Sequence, residues 1–292
     1  MSKVYALTKR NLSIYLRNPV GVFLSLLSAV ILLMLYTLFL GSMQIENLQQ
    51  EIPFASSESI HGFVDSWVFA GIVMITTFST ALGAFEVYID DRTTGRFKEF
   101  RVSPISPLQL ILGYQIAAFC VSFFMTFGTL IVGIIVLGIK DGLWITPAHV
   151  LQAVGYIALL SFTFSALNAF IVSCLKTTGA YTSISIICGT ALGFLSAAYL
   201  PMGALSAGVQ KVINVLPFSQ SAMLMRTPLA QQSFDALAQG IPQVETVLSN
   251  MYGFSISIGD ATLTTPIVIT ILLLIAFAFT ALSTLRLTRR VS

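Results

Sequence analysis

The sequence predicts an all-α integral membrane protein with six transmembrane helices, an N-terminal interfacial helix, and short re-entrant helices between spans five and six. Three observations predict this. Of 292 residues, 56% are hydrophobic and only 9% are charged, whereas soluble domains carry about 25% charged residues. So thin a polar coat cannot face water on all sides. Apolar runs of about twenty residues, the length that crosses a bilayer core, recur along the chain. Charge is also concentrated rather than spread: Glu86, Asp90, Asp91, Arg92, Arg96, Lys98, Glu99 and Arg101 all lie between Glu86 and Pro107.

The chain opens with SKVYALTKRNLSIYLRN. Lys3, Arg10 and Arg17 are seven apart and share one helical face, with Val4, Leu7, Ile14 and Tyr15 opposite, so residues 2–18 are expected to lie as a basic amphipathic helix on an anionic membrane surface. Pro19 suits the turn into the first span. Spans are expected at about 20–41, 66–87, 108–139, 149–173, 180–200 and 265–285, all within one membrane domain covering 1–292. The first run is too long for the h-region of a signal peptide, about 7–15 residues. Residues 42–65 are polar and acidic, with no Lys or Arg. The run over 108–139 exceeds one crossing, which implies tilt, a kink or extension beyond the bilayer. Pro201, Gly203, Gly208 and Pro217 interrupt 201–225 too often for a lipid-facing span, because freed backbone groups would go unsatisfied. Short re-entrant helices are expected there, then a polar loop over 226–264.

Six spans place both termini on one side. Twelve of the fifteen Lys and Arg residues fall on that side, including Lys176, Arg286, Arg289 and Arg290. Lys140, Lys211 and Arg226 fall on the other. The positive-inside rule then puts both termini and the 88–106 segment in the cytoplasm of a multi-pass protein of the cell membrane.

No nucleotide-binding GxxxxGK[ST], HExxH or nucleophile–base set is present, so no catalytic residue is assigned. The two histidines, His61 and His149, and the three cysteines have no metal-ligand spacing, and no metal site is assigned. No basic stripe with interleaved aromatics suggests nucleic acid. An ion-coupled carrier keeps a buried acid or histidine in its core; Glu86, at the end of the second span, is the one candidate, and a solvated boundary carboxylate is the ordinary alternative. The charged segment remains the place where an outside engine would act. Phe97 and Phe100 are three apart on one helical face. Two such rings on a cytoplasmic helix are expected to insert into headgroups or into a partner's groove.

These features resemble the ABC type-2 permeases, the membrane subunits of bacterial ABC exporters. The resemblance rests on the basic helix Lys3–Arg17, on the series Glu86, Arg92, Gly95, Glu99, Pro104, Ser106 and Gly113, on Tyr199-Leu200-Pro201 followed by Val215-Leu216-Pro217-Phe218, and on six spans with both ends cytoplasmic. It implies a second permease chain, identical or a sister subunit, and two copies of a separate ATP-binding subunit that carries ATP and Mg. This chain would bind no cofactor of its own. It implies a coupling helix seated on the ATPase and built from Asp90, Asp91, Arg92, Gly95, Phe97, Glu99, Phe100, Arg101 and Pro104. It also implies that spans two and five line the path. Phe69, Thr76, Thr77, Thr80, Ser183 and Thr190 are the candidate lining, although intramembrane hydroxyls ordinarily bond back to their own helix. Such a path would suit an amphipathic substrate (drug, antibiotic, peptide or lipid-like). Lipid-linked glycan export and ion-coupled carriage are the alternatives.

Overall fold

The computed structural model describes residues 2–259 and 261–291, without the side chains of Ser2, Ser28, Thr37, Arg101, Arg289, Arg290 and Val291. Helix α1 (Ser2–Leu16) is followed by α2 (Pro19–Ser25) and α3 (Leu27–Leu35), a π turn (Tyr36–Leu40), and α4 (Gly41–Glu51). Next come α5 (Ser57–Ala84), α6 (Glu86–Thr93), α7 (Phe97–Val102), α8 (Pro107–Asp141), α9 (Pro147–Cys174) and α10 (Thr178–Leu195). A 3-10 turn at Met202–Ala204 leads to α11 (Ala207–Val215), α12 (Pro217–Ala238) and α13 (Pro242–Met251). A two-residue hairpin, β1 (Ser257–Ile258) with β2 (Ala261–Thr262), precedes α14 (Thr265–Val291). Among the described residues six helical stretches are long and apolar enough to cross a membrane, and with almost no strand there the protein is an all-α integral membrane protein.

Local chemistry sets the boundaries. Asn18 caps α2 by accepting from the Gly21 N–H at 3.0 Å, and Pro19 occupies the first turn. Ser106 and Gln109 form a reciprocal capping box ahead of Pro107, at 3.2 and 3.1 Å. Gly142, at φ 66°, ends α8 in the left-handed region that glycine tolerates. At 35 residues α8 is about 52 Å long, well beyond one bilayer core.

Several boundaries differ from those the sequence suggests. The polar stretch 42–65 is helical except at 52–56. Ser56 accepts from the Ser59 N–H at 3.1 Å and starts α5 there, so Asp65 lies two turns inside a helix. The first apolar stretch runs over Ala29–Glu51 rather than 20–41, and the π turn interrupts it. The charged segment is not one helix from Asp90: α6 prolongs the second span to Thr93, Gly95 turns at φ 84°, and only Phe97–Val102 forms the separate short helix. The polar loop expected over 226–264 is replaced by the rest of α12, by α13 and by the hairpin. Polarity misled there because α12 is buried in protein rather than in lipid or water.

Helix α5 is the axis of the fold. Nearly every residue from Ile60 to Ala84 is buried, against α8, α9 and α12 on one side and α2, α3 and α4 on the other. In lipid, close packing and polar contacts between helices do most of the holding. Ser122 donates to the Thr77 carbonyl at 2.7 Å, Asn168 to the Phe78 carbonyl at 3.2 Å, and Thr163 to the Leu272 carbonyl at 3.3 Å. Gly83 admits Ser25 of α2 so closely that a Cβ there would lie 2.6 Å from the serine Cβ. By contrast α10 buries little of its surface, and Ile186, Ile187 and Phe194 are exposed.

Candidate functional site

The end of the bundle that carries α1 gathers the charged segment into a fixed assembly. Helix α1 buries Leu7, Thr8, Asn11 and Tyr15, the one-face spacing of an amphipathic helix, but against protein. It crosses α8 at Gly113, where a Cβ would lie 2.6 Å from that of Leu7. The Gly113 carbonyl accepts from Thr8 at 3.4 Å and from Asn11 at 3.3 Å. Arg10 donates both terminal nitrogens to Asp91 at 2.6 Å each, and Tyr114 donates to the same carboxylate at 2.5 Å. Arg96 adds a contact at 3.2 Å, and the Asp91 side chain is fully buried. The fork-to-fork geometry is the strong form of an ion pair. The Asp91 bonds raise Arg10 above the ordinary guanidinium range, so it stays charged throughout the physiological range.

The aromatic pair of α7 turns the same way. Phe97 meets Tyr88 edge-on at 5.0 Å and stacks along Tyr114 at 6.4 Å; Phe100 lies 6.0 Å from Phe97 and beneath the Arg10 guanidinium, at 5.6 Å. Both rings were expected to enter headgroups or a partner's groove, and both instead pack on this chain's own core. Arg92 donates to the Leu175 and Ser173 carbonyls at the end of α9, where a cation meets the negative helix terminus. Lys3 donates to the Pro104 carbonyl. Asp90, Lys98, Glu99, Pro104 and Arg17 are exposed, and Val102 is 89% exposed. The Arg101 side chain lies outside the described residues. So α7 has an inner face locked to α1, α6 and α8 and an outer face of charge around one bare valine.

The candidate pathway residues lie in different settings among the described residues. Thr76, Thr77 and Thr80 are fully buried and donate to the carbonyls of Ile72, Met74 and Thr76 at 2.8, 2.6 and 2.5 Å. Ser183 and Thr190, on the exposed face of α10, likewise donate to the Gly179 and Ile186 carbonyls, at 3.0 and 3.1 Å. Phe69 lines an apolar cleft of about 380 Å³ between α3, α5 and α8, its ring lying where a Cβ on Gly133 would intrude.

Sequence reasoning missed three charged groups. Asp65, at the far end of α5, accepts from Tyr36 at 2.7 Å and pairs with Lys140. Tyr36 opens the π turn, a distortion often found where a helix carries a functional group. Arg226 is fully buried in α12 and donates to Gly253 at 3.1 Å, Ser196 at 3.1 Å and Ala197 at 2.8 Å, with its guanidinium 5.3 Å from the Trp67 ring. The Ser56-x-x-Ser59 start signal would have placed Asp65 inside a helix. Nothing local marks Arg226 as buried.

A bundle of six membrane-crossing helices, with a surface helix and a charged turn locked to it and no assembled catalytic group among the described residues, defines a membrane permease domain. The chain belongs to the ABC-2 type transporter family, whose model matches residues 2–229. The match ends inside α12, leaving α13, the hairpin and α14 beyond it, whereas the resemblance read from the sequence took in essentially the full length. No curated protein matches the chain. The protein is thus a permease subunit of an ABC transporter, a class that works with an ATP-binding partner and has no ATPase site of its own.

Proposed function

We propose that this permease exports an amphipathic substrate and is driven through α7 by a separate cytoplasmic ATPase that carries ATP and Mg. Two ATPase copies would serve two permease chains, identical or sister subunits, in the cell membrane with both termini cytoplasmic. The observation that carries the reading is the two-faced α7. Its Phe97 and Phe100 face is tied through Asp91 and Arg10 to α1 and α8, while its other face presents Lys98, Glu99 and bare Val102. A push on that outer face reaches three membrane-embedded or surface helices through direct contacts. In this reading Asp90, Glu99 and Val102 touch the ATPase. Asp91, Arg92, Phe97 and Phe100 hold the element in place, and Gly95 and Pro104 bound it. The exposed strip of α10 (Ser183, Ile186, Ile187, Thr190) would meet the second permease chain.

Purification in mild detergent with mass spectrometry tests this: a P-loop ATPase should co-purify. Val102→Asp, at an exposed position, should leave the unfolding midpoint unchanged and abolish that co-purification. Retention of the ATPase by Val102→Asp would show that the contact lies elsewhere.

A further inference from the structure

Glu86 has no task in the assembly described above. It begins α6, is half-buried, and forms no ion pair among the described residues, although Arg10, Arg92 and Arg96 all find partners nearby. It faces an open cavity of about 290 Å³ bordered by α2, α5 and α10. The carboxylate reaches the α2 backbone, where a Cβ on Gly21 would lie 3.0 Å from Oε2. The lining also includes Leu82 and Leu192, the Asn18 amide, and the hydroxyl residues Ser79, Thr182 and Ser185. Among the described residues no Lys, Arg or His lines it. Val20 and Leu24 line the cavity yet are 65% and 54% exposed, so its mouth opens sideways between α2 and α10.

We propose that this cavity binds the charged head of a hydrophobic organic cation, with Glu86 as its counter-ion. The inference rests on the export reading only in making that cation a transported substrate. A half-buried carboxylate with no cationic partner among the described residues gives up part of its hydration without an ion pair in return. An entering cation supplies the missing counter-charge, a neutral donor supplies only a hydrogen bond, and an anion is repelled. A largely apolar wall with a few hydroxyls suits a delocalised, weakly hydrated cation such as a quaternary ammonium or a xanthene dye. The volume is at the small end of ligand sites, so it takes the head and adjoining ring, and the sideways mouth leaves the apolar remainder in lipid.

The purified permease, in phosphatidylcholine nanodiscs without ATPase, is titrated with the cation rhodamine 6G and the anion carboxyfluorescein, read by fluorescence polarisation. Saturable binding of rhodamine 6G alone is expected. Glu86→Gln should weaken it about tenfold or more, the scale of losing a charged partner, and Glu86→Asp should largely restore it. Thr182→Trp, on an exposed position at the mouth, should weaken binding with the carboxylate intact; it decides the matter if Glu86→Gln does not fold. The proposal is overturned if the folded wild type shows no saturable rhodamine 6G binding, if it binds both dyes alike, or if Glu86→Gln binds as the wild type does. Glu86-dependent binding by a chain that captures no ATPase would keep the site and overturn the export reading instead.

Discussion

Replacing Asp91 with Leu removes the acceptor on which α1, α6 and α8 converge. Arg10 and the buried Tyr114 hydroxyl lose their partner together. Breaking a buried ion pair costs about 3–5 kcal/mol, and the Arg10 side chain, 30% exposed, recovers some hydration, which puts the expected cost near 3 kcal/mol. Arg10→Met strands a fully buried carboxylate that keeps only Tyr114 and Arg96, and should cost a similar amount. The double variant removes both charges and leaves one unpaired hydroxyl, so it should cost about 3 kcal/mol in all, giving a coupling of about 3 kcal/mol. Reversible unfolding by sodium dodecyl sulfate in mixed micelles, followed by circular dichroism, measures all four proteins. Strictly additive costs would refute the argument, because they would mean that the two charges act independently despite their 2.6 Å contacts.

Two further outcomes follow from packing. Gly113→Ala forces a Cβ into Leu7 and should cost about 1–3 kcal/mol by overpacking; Gly128→Ala in the same helix, with open space at its Cβ, should cost nothing in the same unfolding titration. Arg226→Met leaves three buried carbonyls unpaired and should cost about 3 kcal/mol or more. Arg226→Lys should not rescue it, since a point ammonium cannot span acceptors on two segments; a thermal unfolding midpoint in detergent equal to that of the wild type would show that the clamp carries no load.

The membrane class and the charge island could be read from the sequence because both are properties of composition along the chain, and a bilayer is an unforgiving solvent. The orientation of the island could not. Phe97 and Phe100 share a face by helical spacing, but spacing does not say what that face meets, and the answer lies with Tyr88, Tyr114 and Arg10. Asp91 was expected, from the resemblance, in a coupling helix seated on the ATPase. Its partner stands 81 residues away in a helix whose basic face was expected to lie on lipid. Arg226 and Asp65 were missed because polar segments were expected to lie in water, whereas α12 and the start of α5 are polar and buried at once. For the threonines, the ordinary back-bonding role describes what Thr76, Thr77 and Thr80 do.

Two of the carboxylates carried by α5 and α6 have a mechanical meaning. Asp65 is pinned to Lys140 near one end of α8, and Asp91 to Tyr114 near the other. These anchors are about 39 Å apart along α5 and α6 at 1.5 Å per residue. Sliding α8 past them by a turn, 5.4 Å, would break both contacts, the buried one at Asp91 at the greater cost. If α7 is driven as proposed, a thrust there would swing α8 together with α5 and α6, with the compliance in the sparsely packed α10 and the short, broken α2 and α3.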